Sequence, residues 1–393
     1  MSQATSSRGV DPETGILEWL DSQEGAMLEL LEKLVNIDSG SYDKAGIDAV
    51  GDVLRDFLES AGLECTVTPL EKHGDIIRAT IPQSGAGNRN ILLMGHRDTV
   101  FADGEAGRRP FKVENGRAYG PGVADMKSGL VMNSFVAAAF ARFGGAPMPL
   151  VALFTGDEEI GSPASAPLIM QEASQARVVF NSEPGRANGN VVKARRGCIF
   201  VRIEVKGKAA HSGVNFEDGA SAVEELAHKI VALRQLTDLE RDMSVNVGLV
   251  SGGQSVNTTA PQATASLDIR YFNPDDRAPL MEAIEKIVAQ TSVPGTSARM
   301  EIYGEFPPLY GSDDSEELLA TYRAASQRLG IELDGELTKG AADSGFASAA
   351  GAATICGLGP VGGRYHSDEE YMEVDSMVAR AKTLALAILS LDR

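Results

Sequence analysis

Ile91-Leu92-Leu93-Met94-Gly95-His96-Arg97-Asp98-Thr99-Val100 is an apolar run that stops on a histidine and a carboxylate two residues apart. The apolar part predicts a buried strand, and side chains two apart on a strand point to one face. At the strand's carboxyl end, His96 can therefore hold a metal through one ring nitrogen while Asp98 accepts a hydrogen bond from the other. Such a contact fixes the tautomer and orientation of a ligating imidazole.

Outward from this segment, helical and strand-like patterns alternate. Leu17, Leu20, Met27, Leu30, Leu31, Leu34 and Val35 recur at helical spacing, as do Ile47, Val50, Val53, Leu54, Phe57 and Leu58 before a stop at Gly62. Strands are predicted at Cys65–Thr68, Ile76–Ile81, Ile91–Met94, Leu150–Phe154 and Val178–Asn181, and a helix from Asp125 to Phe143. This alternation indicates an α/β sheet covered on both faces. After Arg196-Gly197 the pattern changes to strand Phe200–Lys206, helix Ala220–Leu236, strands Ser244–Val250 and Thr264–Tyr271, helix Pro274–Gln290 and strand Ala298–Tyr303. That β-α-β-β-α-β order matches a ferredoxin-like arrangement. From Ser315 the α/β pattern returns. The expected division is a discontinuous catalytic domain, 1–195 with 308–393, around an inserted domain at 196–307.

The whole chain of 393 residues is long for a single core and carries a net charge of −19. That charge argues against nucleic acid or an anionic membrane as the main partner. Cys65, Cys198 and Cys356 are odd in number and far apart, which suits thiols in a reducing compartment. The polar stretch Met1–Gly15 contains no signal-peptide core, and no run reaches the roughly 18 apolar residues of a membrane span. The expected address is the cytoplasm.

Four further segments bear on chemistry. Gly120-Pro121-Gly122-Val123-Ala124-Asp125 makes a tight turn and leaves Asp125 near a helix start, where an aspartate also serves as a plain N-cap. Thr155-Gly156-Asp157-Glu158-Glu159-Ile160-Gly161-Ser162 places three acids at a strand end, where they repel one another unless protons or a cation compensate. The helix dipole alone would favour each exposed acid by only ~0.3–1 kcal/mol. Asn181-Ser182-Glu183-Pro184 adds a carboxylate at another strand end, and Gly363-Arg364-Tyr365-His366-Ser367 adds a histidine in a loop. An open α/β sheet places its active site at such strand ends. Mixed histidine and carboxylate ligands suit zinc, with manganese or cobalt also admissible. Five candidate ligands are more than one tetrahedral ion needs; two ions roughly 3.5 Å apart would use them all if one carboxylate bridges.

In order along the chain, Gly-His-x-Asp-Thr-Val, Gly-x-x-Asp-x-Lys-x-Gly, Asp-Glu-Glu-x-Gly-Ser, Ser-Glu-Pro and Tyr-His-Ser resemble the aminoacylase and glutamate carboxypeptidase family of dinuclear metallopeptidases. This family includes carboxypeptidase G-like enzymes, succinyl-diaminopimelate desuccinylase and acetylornithine deacetylase. The resemblance implies an α/β, phosphorylase/hydrolase-like three-layer catalytic domain with an inserted ferredoxin-like α+β lid that mediates a homodimer. It implies two divalent ions per subunit, one bound by His96 and Glu183, the other by Glu159 and His366, with Asp125 bridging and a cis peptide after it. Asp98 would orient His96. Glu158 would be the general base, moving a proton from the bridging water to the leaving nitrogen.

In the inserted domain, the resemblance points to His211, in Gly207-Lys208-Ala209-Ala210-His211-Ser212-Gly213, as stabilising the tetrahedral intermediate. It also marks Asn257 and Arg270 as substrate contacts, and an arginine can clamp a carboxylate with two parallel hydrogen bonds. One departure stands out: in Gly304-Glu305-Phe306-Pro307-Pro308, Phe306 occupies the place of an arginine common in carboxypeptidase-like members. An aromatic ring there would offer a stacking surface instead of an anion clamp; Arg195-Arg196 could supply the missing charge.

The expected activity is hydrolysis of the amide bond of a small N-acyl or N-aroyl amino acid or dipeptide. The alternative is ammonia release from an aromatic amino carboxylate at the same dimetal site, as in the nitroanthranilate aminohydrolase. A non-catalytic binding module should have lost the base or a ligand, whereas all six residues are present.

Overall fold

The computed structural model describes residues 11–81 and 89–391. Residues 1–10, most of the polar leading stretch read above, lie outside the described residues. The chain divides into two compact units, one of Met1–Ala194, Gly311–Leu337 and Phe346–Arg393, the other of Arg195–Tyr310 and Thr338–Gly345.

The first unit is built on an eight-stranded mixed sheet. Its order is Glu64–Thr68, Ile76–Thr80, Leu150–Thr155, Asn90–His96, Ala176–Asn181, Ala353–Cys356, Val191–Arg195 and Gly335–Thr338. Ile91 to His96 are all buried, as a central strand covered on both faces requires. This strand runs parallel to both neighbours, with His96 level with Thr155 and Met94 level with Asn181. Three carboxyl ends therefore open on one edge of the sheet, and the segments carrying Asp98, Glu158 and Glu183 leave from that edge.

Helix Lys44–Ser60 turns Ile47, Val50, Leu54 and Leu58 into the core. Asp43 caps its start by accepting the Gly46 N–H at 3.1 Å. Two expectations are corrected here. The apolar series from Leu17 to Val35 is two helices, Pro12–Asp21 and Glu24–Val35, because the first closes at Ser22, whose N–H bonds back to Glu18 and Trp19. The helix expected from Asp125 begins at Ser128 instead. Asp125 (φ −109°, ψ 94°) and Met126 (φ −130°, ψ 38°) leave helical geometry, and the peptide between them is cis.

A small antiparallel sheet of Gly362–Gly363, Tyr371–Glu373, Arg117–Tyr119 and Lys112–Glu114 had no counterpart in the sequence reading. It spans the loop that carries His366.

The second unit is ferredoxin-like. Strands Gly197–Lys206, Ser244–Gly252, Gln262–Tyr271 and Ser297–Phe306 form one antiparallel sheet, with Gly197–Lys206 and Gln262–Tyr271 central and Ser244–Gly252 at one edge. Ile199, Val201, Ile203 and Val205 alternate inward against Leu226 and Leu233 of helix Ala222–Arg234 and Ile284 of helix Arg277–Ala289. Among the described residues, no helix is long and apolar enough to cross a membrane. The three cysteines are free thiols.

Candidate metal centre

His96 is the last residue of its strand and is 1% exposed. Its Nδ1 lies 3.0 Å from the Asp98 carbonyl oxygen and 3.4 Å from the Asp98 carboxylate. Arg97, between them, is also buried and turns away, bonding the carbonyls of Thr155 and Ile47 at 3.2 and 3.0 Å. The Asp98 carboxylate has a second task that the sequence did not announce. Its oxygens accept the N–H groups of Glu158 and Glu159, each at 3.1 Å, and the Ser41 hydroxyl at 2.7 Å. It thus fixes the short 3-10 turn Glu158–Ile160 beyond the strand end.

The other candidates converge on His96 Nε2. Asp125 Oδ1 is 3.3 Å away, Glu183 Oε1 3.7 Å and Glu158 Oε2 3.9 Å. The second Asp125 oxygen faces His366 Nε2 at 3.3 Å, and Glu159 Oε2 is also 3.3 Å from that nitrogen. Atoms of His96, Asp125 and Glu159 that could ligate a metal all fall within 4.8 Å of one another. His96 Nε2 and Glu159 Oε1 are buried with no hydrogen-bond partner among the described residues, an arrangement that native interiors avoid unless something further binds there.

The electrostatics agree. Burial opposes charge on His96, yet Glu158, Asp125, Asp98 and Glu183 hold its pKa well above the usual value. His366 is raised to about 10 by its bonds to Asp125 and Glu159. Glu159 is pushed up to about 7 by burial and then by the Asp125 charge. The two imidazoles and Glu159 are thus shifted towards their protonated forms, while Asp98 and Asp125 are held below the usual carboxylate range by the histidines they face, and the donor set fits divalent ions such as zinc or manganese.

Each ligand segment is braced. Gly129 opens the helix after Asp125, and a Cβ there would stand 2.0 Å from the Ser182 carbonyl oxygen, so only glycine lets the helix approach the Glu183 segment. His366 itself adopts a left-handed backbone (φ 59°). Its loop is held by Tyr365, whose hydroxyl donates to Gly185 and Gly362 carbonyls at 3.1 and 3.0 Å, and by Arg109 Nη1 on the Asp368 carbonyl at 3.1 Å.

Glu370 is the residue that motif reading overlooked. Fully buried, it accepts the N–H groups of Gly122, Ala124 and Asp125 at 3.1, 2.9 and 2.9 Å. Three donors on one carboxylate account for the non-helical path that delivers Asp125. Burial, together with the Asp125 charge, pushes its carboxyl up to about 7 despite those donors.

In the second unit, His211 and Asn257 are neighbours on exposed loops. His211 bridges to Thr258, the Ser212 N–H donates to the Asn257 carbonyl at 3.0 Å, and His211 Nδ1 accepts the Gly213 N–H at 3.1 Å. Arg270 pairs with Asp268 of its own strand at 2.7 and 3.1 Å. Phe306 pairs with Cys198 across the sheet and is 6% exposed, so its ring belongs to the interior and offers no stacking surface. Arg195 Nη1 donates to the Gly340 and Ala341 carbonyls, and Arg196 pairs with Asp242.

Comparison with known proteins gives the same class. Residues 92–390 match the model of peptidase family M20/M25/M40, and the chain belongs to that family. It is therefore a hydrolase acting on amide bonds, within a metal-dependent family. It is 31% identical to carboxypeptidase G2 of Pseudomonas sp. (strain RS-16) over 378 residues, covering 94% of this chain and 90% of that one. Acetylornithine deacetylase of Myxococcus xanthus is 30% identical over 255 residues, 59% of this chain and 63% of the relative. The M20 family metallo-carboxypeptidase Sso-CP2 of Sulfolobus solfataricus shares the fold, with a TM-score of 0.74 at 18% identity over 92% of this chain and 98% of that one.

Proposed function

We propose that this chain is a dinuclear metal-dependent hydrolase that cleaves the amide bond of a small carboxylate-bearing substrate, an N-acyl or N-aroyl amino acid or dipeptide. The observation that carries this reading is the place of Asp125, whose two oxygens each face a different histidine at 3.3 Å. Each histidine has a second acid beside it, Glu183 near His96 and Glu159 near His366. In the proposal His96 and Glu183 would hold one ion and Glu159 and His366 the other, with Asp125 serving as a ligand between them. Bound there, divalent ions supply Lewis acidity, acidifying water and polarising a carbonyl oxygen.

The protein's own groups do the rest. Glu158 is buried, and Asp98 fixes its backbone; it accepts a proton from the attacking water and returns it to the departing nitrogen. Asp98 also keeps the His96 ring in place from the Nδ1 side. Roles for His211, Asn257 and Arg270 at the substrate rest on the family resemblance. We further propose a homodimer through the second unit, supported by its edge strand Ser244–Gly252, where Leu249 and Val250 are exposed. Sedimentation of the purified protein tests this.

The deciding experiment is a metal count on the reconstituted protein, paired with a panel of acylated amino acids assayed for free amino acid and for ammonia. Two ions per chain and release of the amino acid are expected. One ion per chain, or turnover that survives chelation, overturns the reading. With Phe306 buried, nothing in the site favours the ammonia-releasing alternative.

A further inference from the structure

A cavity of about 580 Å³ opens beside Glu159, within the size range of small-molecule sites. Its walls come from Ser41-Tyr42 on one side, Val100-Phe101 on a second and Ile160 on a third. Tyr42 is 84% exposed and Val100 44% exposed. Together they leave apolar surface open to solvent at the edge of a buried polar centre, the composition of a ligand-binding groove. The walls are also keyed to the centre. Gly40 bridges to Thr99, the Thr99 N–H donates to the Ser39 carbonyl at 2.8 Å, and the Ser41 hydroxyl bonds the Asp98 carboxylate at 2.7 Å. A group seated against Tyr42 and Val100 is thereby held at a fixed place relative to Glu158 and Glu159.

The charge of the lining decides which half of a substrate fits. Asp43, Asp103 and Glu159 line the cavity, and among the described residues no lysine or arginine does. Arg109, stacked on the Phe101 ring at 4.8 Å, is held by Glu105 and by the Asp368 carbonyl. A carboxylate-bearing leaving half would meet three acids and no counter-charge here, a desolvation cost without return. An uncharged acyl half meets an aromatic face and two aliphatic walls.

Resting on the hydrolase reading above, we propose that the cavity bounded by Tyr42, Val100, Phe101 and Ile160 receives the acyl group, and that it selects bulky uncharged groups the size of an aromatic ring. Tyr42 and Val100 are the specificity-determining residues.

The test compares N-benzoyl, N-acetyl and N-lysyl derivatives of one amino acid with the metal-loaded wild type, Tyr42→Ala and Val100→Trp. Both side chains are solvent-exposed, so folding is not at stake. Loss of a pocket contact is worth at least tenfold in discrimination. The benzoyl-to-acetyl ratio of kcat/KM should therefore fall at least about tenfold in Tyr42→Ala, and fall also when Val100→Trp fills the space. Equal losses on both substrates overturn the assignment, as does a wild type that prefers the cationic lysyl derivative. If the wild type hydrolyses none of them, the hydrolase reading fails separately, and calorimetry with the neutral benzamide and acetamide still judges the pocket. Weaker benzamide binding in Tyr42→Ala, with acetamide binding less affected, supports it; equal changes refute it.

Discussion

Replacing Glu370 by alanine removes, in one step, the acceptor for three backbone N–H groups that shape the segment delivering Asp125. A hydrogen bond to a charged group contributes about 1.5–3 kcal/mol net, and a buried donor left without a partner carries its full desolvation penalty. Three such bonds set an upper bound that relaxation and entering water reduce, leaving a local loss of ~3–5 kcal/mol. Glu370 is fully buried, so no bulk solvent stands ready to replace it. The direct readout is hydrogen exchange at the Gly122, Ala124 and Asp125 amides, which reports local opening. At 1.4 kcal/mol per tenfold, exchange there should accelerate roughly 100- to 3,000-fold in Glu370→Ala. Glu370→Gln keeps one acceptor oxygen and should fall between, at about tenfold. Amides in the strand Gly197–Lys206 of the second unit serve as the internal reference. Exchange at the three amides that stays within about threefold of wild type in Glu370→Ala would refute the assignment of Glu370 as the organiser of this turn.

Three other predictions concern chemistry and stability. Glu158→Gln should bind the same number of ions as wild type yet lose about 10²–10⁴ in kcat, the range of a general base; near-normal turnover removes Glu158 from that role. Metal addition to the stripped protein near pH 8 should release protons, because His366, raised to about 10, must become neutral to ligate. The ion affinity should accordingly rise with pH up to about 10, and a pH-stat titration that releases no protons contradicts this. The metal-free fold has the opposite dependence: the His366 pairing supports it fully below its ordinary 6.5, and that support is lost as pH climbs towards 10. In the second unit, Lys229 pairs with Glu225 at 2.8 Å and donates to the Ile287, Val288 and Gln290 carbonyls at 3.1, 2.9 and 2.6 Å. Lys229→Met strands those groups and should destabilise this unit by ~3–5 kcal/mol; denaturant unfolding followed within the second unit checks it.

What could be read from the chain follows how local each signal is. The strand ending on His96 and the acids after Thr155 and Asn181 were legible because an apolar run and its polar stop lie within ten residues of each other. The β-α-β-β-α-β order of the second unit was legible for the same reason, each element being long enough to show its period. The helix start at Ser128 was not, because the acceptor that bends Val123–Lys127 sits 245 residues away at Glu370. The small sheet escaped because strands of two and three residues carry no periodicity. The burial of Phe306 could not be read from the chain either, because it depends on the sheet that pairs it with the distant Cys198.

The octapeptide Thr338–Gly345 groups with the second unit although more than twenty residues of the first precede it. Arg195 reaches its Gly340 and Ala341 carbonyls, and the Arg196 N–H donates to the Thr338 carbonyl at 3.3 Å. The polypeptide therefore crosses between units four times, and a graft made with two cuts cannot transplant the second unit whole. Recombination at the outer junctions alone would strand eight residues in the donor and part Arg195 from the Gly340 and Ala341 carbonyls. A chimera of this enzyme with a relative has to exchange both pieces together.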